Sequence, residues 1–150
     1  MNYMQEAIKE AYDGINKNHG GPFGCVIVKN DKIIGRGHNR VLLNEDPTCH
    51  GEIEAIRNAC KNQKTHDLSD SILYTTAEPC PMCLGAILWA NIKTVRYGCS
   101  VTDTDKIGFR DVQFYKSFEG KNKNFSLEEE NRTECLKLFT DYVNLNRKRY

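Results

Sequence analysis

The chain has 150 residues, of which 39% are hydrophobic and 27% charged, the proportions of an ordinary soluble globular protein. A chain of this length fits one domain and buries roughly 70% of its unfolded surface, so residues 1–150 are expected to fold as a single unit without disulfide staples. With 21 basic and 20 acidic side chains the net charge is +1, which gives no support to a large nucleic-acid footprint. No stretch approaches the ~20 apolar residues of a membrane span. Met1-Asn2-Tyr3-Met4-Gln5-Glu6 lacks the apolar core of a signal peptide, and a cytoplasmic location is expected.

Met4, Ile8, Ala11, Tyr12 and Ile15 recur at helical spacing and predict an opening amphipathic helix that stops before Gly20-Gly21-Pro22. Cys25-Val26-Ile27-Val28 and Ile33-Ile34 are β-type runs joined through Asn30-Asp31, a hairpin signal. Asp46-Pro47 predicts a helix start, with a capping residue followed by proline, and Ile53, Ile56, Ala59 and Cys60 give that helix an apolar face. Ile72-Leu73-Tyr74-Thr75-Thr76 predicts a buried strand. A short helix near Pro79 carries Leu84, Ile87 and Leu88, and Thr94-Val95-Arg96-Tyr97 predicts the next strand. Gly120-Lys121-Asn122-Lys123-Asn124 predicts an exposed loop; Leu136, Phe139, Tyr142 and Val143 predict a closing helix before the basic tail Arg147-Lys148-Arg149. Strands alternating with helices predict a three-layer α/β/α arrangement around one mixed sheet.

Seven cysteines, at 25, 49, 60, 80, 83, 99 and 135, are an odd number in a chain with no secretory signal, so a disulfide framework is not expected. Two of them stand in Glu78-Pro79-Cys80-Pro81-Met82-Cys83, three apart at a helix start, where both sulfurs project from nearly one face. The positive end of the helix favours their thiolates, the metal-binding form. His50, in Cys49-His50-Gly51-Glu52, offers an imidazole as third ligand. Three protein ligands leave one tetrahedral position for water, the mark of a catalytic zinc. Glu52, two residues on, is placed to move protons to and from that water. Two other readings compete. A thioredoxin-like redox motif needs a proline downstream to face it, and every proline (22, 47, 79, 81) lies at or before the motif. A structural zinc ribbon needs a second close cysteine pair, and Cys99 and Cys135 have no near partner.

The His-x-Glu and Pro-Cys-x-x-Cys elements together form the signature of zinc deaminases. With Gly20-Gly21-Pro22-Phe23-Gly24, Asn39 and Asp46-Pro47-Thr48 the chain resembles the cytidine deaminase superfamily over nearly its whole length. Thr102-Asp103, Gly108-Phe109-Arg110-Asp111, Phe114-Tyr115-Lys116 and the terminal Tyr150 resemble its small bacterial guanine deaminases more narrowly. The tRNA adenosine deaminases share the zinc motif, but usually carry a small residue where Phe109 stands and are more basic.

The resemblance implies a cytidine deaminase-like fold with a central mixed five-stranded sheet and a single zinc-dependent domain. It implies hydrolysis of guanine to xanthine and ammonia, with Zn²⁺ on His50, Cys80 and Cys83, and Glu52 and Asp111 as catalytic carboxyl groups. Asn39 and the Gly51 N–H are implied to hydrogen-bond the purine, Phe23 and Trp89 to wall it, and Tyr150 to close the pocket. A homodimer with exchanged C-terminal segments is implied as well. One residue departs from the family: alanine is usual at position 51, where this chain has glycine.

Overall fold

In the computed structural model, which describes residues 1–120 and 124–150, the opening helix α1 runs over Tyr3–Asn16, its first turn capped by the Asn2 side chain, which accepts from the Gln5 N–H. Its buried residues are Ala7, Ala11 and Gly14, whereas Tyr12 is exposed. Small residues rather than large ones face inward because the helix backbone lies close against the sheet.

Strands β1 (Gly24–Lys29) and β2 (Lys32–His38) form the expected hairpin. Both turn residues, Asn30 and Asp31, have positive φ, the backbone a two-residue turn needs to match strand twist. One turn of helix, α2 (Val41–Asn44), follows, then α3 (Gly51–Gln63). The helix start expected at Asp46-Pro47 is therefore displaced to His50, the N-cap of α3. Asp46 turns the chain instead of capping a helix: its Oδ1 accepts from the N–H and the hydroxyl of Thr48, at 2.8 and 2.7 Å.

Strand β3 (Ile72–Ala77) alternates buried and half-buried positions. After it come α4 (Pro81–Trp89) and β4 (Thr94–Cys99). In α4, Cys83 and Ile87 are buried while Leu84 and Leu88 are exposed. The sheet order is β2-β1-β3-β4, antiparallel except for the parallel β3–β4 pair. The mixed sheet therefore has four strands among the described residues, not the five expected. A capping box between Ser100 and Asp103 starts α5 (Val101–Lys106) directly after β4, followed by α6 (Asp111–Phe118). The stretch from 124 to 131 then leads to α7 (Arg132–Asn144) without pairing to β4. Of the loop expected at Gly120–Asn124, residues 121–123 lie outside the described residues.

The sheet separates two apolar clusters. On one face Ala7 of α1 meets Val26, Val28 and the half-buried Tyr74. On the other, Cys25, Ile27 and Leu73 pack with Ala55 and Ala59 of α3 and Ile87 of α4. Helices thus cover both faces, the three layers the alternation predicts. β2 and α3 touch backbone to backbone: a Cβ at Gly35 would lie 2.5 Å from the Ala55 carbonyl oxygen, and one at Gly37 would lie 2.4 Å from the Ala55 nitrogen. α7 has no buried residue, although it carries Leu136, Leu138, Phe139, Tyr142 and Val143. No helix among the described residues is long and apolar enough to cross a membrane.

Candidate active site at the meeting of two helix starts

His50 is the N-cap of α3 and Cys80 the N-cap of α4; Cys83 stands in the first turn of α4. Each cap has extended backbone, so both chains turn into their helices at the same place. The positive ends of both helices therefore converge there, which favours anionic sulfur. The Sγ atoms of Cys80 and Cys83 each lie 3.5 Å from His50 Nδ1. His50, Cys80 and Cys83 form the one group among the described residues whose ligand atoms could hold a metal, all within 4.8 Å of one another.

The donor set fits zinc. With Zn–S near ~2.3 Å and Zn–N near ~2.05 Å, the sulfur–nitrogen edge of a tetrahedron is about 3.5 Å, the spacing found. The protonation chemistry fits as well. A hydrogen bond from Cys83, with His50 alongside, holds the Cys80 thiol down at about 4. The same contact pushes Cys83 up, since a second thiolate would face the first, with burial adding to the effect. A dication supplies the charge that lets both sulfurs ionise together. Cys49, beside His50, is outside this group; it is buried against Asn44 Nδ2 and Arg57 Nη1, at 3.5 and 3.7 Å.

Glu52, in the first turn of α3, is 5% exposed. Its Oε1 lies 3.0 Å from the Thr75 hydroxyl on β3. Burial raises its pKa above the usual carboxylate range. Asp111 opens α6 close enough to Cys80 and His50 for their charges to act on it. Burial, with the negative charge on Cys80 adding to it, moves its pKa upward. Tyr115 ties the same helix down by donating to the Pro79 carbonyl oxygen at 2.6 Å.

Asn39 follows β2 and is buried. Its Oδ1 accepts from the Val41 N–H at 3.1 Å, which leaves its amide N–H groups to donate elsewhere. Its own N–H donates to the Phe23 carbonyl oxygen at 2.9 Å. That oxygen also faces Gly51: a Cβ there would sit 2.9 Å from it. The Phe23 ring meets Phe109 edge-on at 4.9 Å between centroids. Trp89 and Tyr150 are not part of this cluster. Their rings lie 5.9 Å apart, with His66 6.0 Å from Tyr150, and both are exposed. Trp89 is nine residues beyond Cys80, roughly 13 Å along the helix.

Three contributors are absent from the set read off the sequence. Thr75 could have been found from strand alternation, being a polar residue on the core-facing side of β3. Phe109 stands out in the sequence only as a branch marker, and its packing on Phe23 has no local signal. Tyr115 is visible only as one aromatic among several.

The family model for the zinc-binding region of cytidine and deoxycytidylate deaminases matches residues 1–99. The guanine deaminase of Bacillus subtilis is 43% identical over 151 residues, which cover 99% of this chain and 97% of that protein. The X-ray structure of guanine deaminase from Bacillus subtilis superposes with a TM-score of 0.94 at 43% identity, over 100% of this chain and 99% of that one. The tRNA-specific adenosine deaminase of Buchnera aphidicola subsp. Schizaphis graminum is 37% identical over 140 residues, 93% of this chain and 91% of that protein. On the match through residue 99 and a donor set with zinc's spacing, this chain belongs to the zinc-binding cytidine and deoxycytidylate deaminase family.

Proposed function

We propose that this chain, acting as one domain over residues 1–150, hydrolyses guanine to xanthine and ammonia. The observation that carries the reading is the likeness to Bacillus subtilis guanine deaminase, which continues beyond the zinc-binding region to the end of the chain, with a TM-score of 0.94.

His50, Cys80 and Cys83 would hold a zinc ion, which when bound would act as a Lewis acid and bring the pKa of water toward neutrality. Glu52 takes one proton of the attacking water and delivers it to N3 of the ring, then moves the water's second proton from the new C2 hydroxyl to the departing amine as the C–N bond breaks. Burial raises the pKa of this carboxyl group, which suits a group that must both take and give a proton. Asp111 assists at the leaving amine. The Asn39 amide and the Gly51 N–H donate to acceptors on the purine, and Phe23, braced by Phe109, forms an aromatic wall.

The protein works as a homodimer with exchanged C-terminal segments. The support is α7, whose apolar side chains all lie exposed in one chain and gain cover from a second copy. In that arrangement Trp89 and Tyr150 close the neighbouring pocket. None of the seven cysteines is in a disulfide, the state a cytoplasmic setting maintains.

The test is a competition between guanine and an anticodon stem-loop containing adenosine, with xanthine and inosine measured together. Xanthine should predominate with little salt dependence. Predominant inosine, suppressed by moderate salt, would overturn the guanine reading and promote tRNA editing.

A further inference from the structure

Behind the purine-facing end of β2 lies a chain of three titratable side chains that the reaction does not use. His38, 2% exposed, stands at the last β2 position, paired with Gly24 of β1. Its Nδ1 lies 3.2 Å from Glu10 Oε2 on α1, and its Nε2 lies 2.8 Å from His19 Nδ1. The two imidazoles stack, with centroids 5.1 Å apart and planes 21° from parallel. α1 packs flush on the His38 ring, since a Cβ at Gly14 would come within 2.7 Å of its Cδ2.

The chemistry assigns the protons. The Glu10 carboxylate accepts, so His38 carries its proton on Nδ1 and presents a bare Nε2. His19 Nδ1–H therefore donates to His38. We infer that this His19–His38 hydrogen bond is a positioning clamp that holds the 19–23 segment on the end of β2, and so sets the purine-binding geometry of Asn39 and Phe23. The inference rests on the proposal that those two residues hold the base.

Contacts along the segment show what the clamp joins. His38 immediately precedes Asn39, and His19 precedes Gly20, where a Cβ would fall 2.0 Å from Asn39 Oδ1. Phe23 closes the segment by accepting from the Asn39 N–H. The His19 carbonyl oxygen accepts from the N–H groups of Leu42 and Leu43, so α2 is fixed by the same segment. Burial and the charges of His38, Arg40 and Lys17 hold His19 below the usual histidine range, with Asp13 opposing. Glu10 faces His38 from α1, and Arg36 of β2 bonds Glu6 and stands 3.8 Å from Glu10. His19 is therefore kept neutral, as a donor to His38 requires.

The zinc-loaded enzyme is assayed with guanine at pH 8 as wild type, His38→Asn, His38→Gln and His19→Ala. Asparagine reproduces the Nδ1 end of histidine and keeps the Glu10 contact only. Glutamine reproduces the Nε2 end and keeps the contact to His19. His38→Asn and His19→Ala should raise KM roughly three- to tenfold, the effect of one lost hydrogen bond, with kcat within about twofold. His38→Gln should keep the wild-type KM. Equal KM for the Asn and Gln variants, or a loss confined to kcat, would overturn the clamp. If His38→Asn does not fold, His19→Ala and the wild-type imidazole ¹⁵N spectrum decide. At pH 8 both rings should be Nδ1–H tautomers, and an Nε2–H tautomer on His38 overturns the assignment. Asn39→Ala separates the two layers. If it raises KM while His38→Asn does not, the clamp alone falls; if the wild type does not turn over guanine, the functional reading falls first.

Discussion

Gly51→Ala installs the residue that is usual at this position in the family, and on helix propensity alone it should stabilise the protein by up to ~1 kcal/mol, less at a first helical position. The surroundings of Gly51 reverse the sign. An added Cβ lies 2.9 Å from the Phe23 carbonyl oxygen and 3.3 Å from its carbon, whereas comfortable carbon contacts begin near ~3.5 Å. The carbonyl must yield by about half an ångström, and it already accepts from Asn39 N–H at 2.9 Å. Stretching that bond forfeits about 0.5–1.5 kcal/mol, and crowding of this kind costs about 1–3 kcal/mol. The net expectation is a loss of about 1 kcal/mol, a fall in Tm of roughly 2–4 °C for a chain of this size. Because Phe23 and Asn39 both shift, KM for guanine should rise as well. Thermal unfolding of the zinc-loaded proteins and steady-state kinetics measure the two effects. A higher Tm with unchanged KM would refute the reasoning, since it would mean that the Phe23 carbonyl has room to spare.

Glu52→Gln keeps the shape of the side chain and its Thr75 contact but cannot carry a proton; zinc content should be unchanged while kcat falls at least ~10²–10⁴-fold, and near-normal turnover would assign the protons elsewhere. Cys83→Ala should abolish both metal and activity, while elemental analysis of the wild type should find about one zinc per chain. Asp111→Ala should lower guanine turnover with zinc retained, and unchanged kinetics would remove Asp111 from the reaction. Phe139→Lys on the exposed face of α7 should shift the sedimenting species from dimer toward monomer, an outcome that a monomeric wild type would contradict.

What the sequence reveals most clearly here is local chemistry. His50, Cys80 and Cys83 are legible because metal binding requires particular residue types near helix starts, and the helix starts have their own signals. The Asn30-Asp31 turn is legible for the same reason, since two positive φ values restrict the residues that fit. Asp46-Pro47 misleads because an Asx turn and a helix cap use the same side chain to accept the same kind of N–H bond; the next few residues, not the pair itself, decide between them. The missing fifth strand has a similar origin. Ser100 and Asp103 close a capping box that sends the chain into a helix directly after β4, a choice set by one side-chain exchange. The Phe23–Phe109 contact and the Glu10–His38–His19 chain join residues far apart in sequence. They depend on how α1 and the 19–23 segment lie against the sheet, which no periodicity encodes. Trp89 carries an aromatic signal whose destination depends on the final residue of the chain, Tyr150.

The backbone seat of α3 on β2 governs how this protein can change. Gly35 and Gly37 meet the Ala55 peptide directly, so the height of the helix over the sheet is set by main-chain atoms rather than by side chains that could repack. His50 and Glu52 ride at the near end of that helix. An enlarged residue at 35, 37, 55 or 59 would therefore lift Glu52 and His50 together. The seat itself works as a datum for the site, so enlarging a residue there should cost activity by moving two site residues at once.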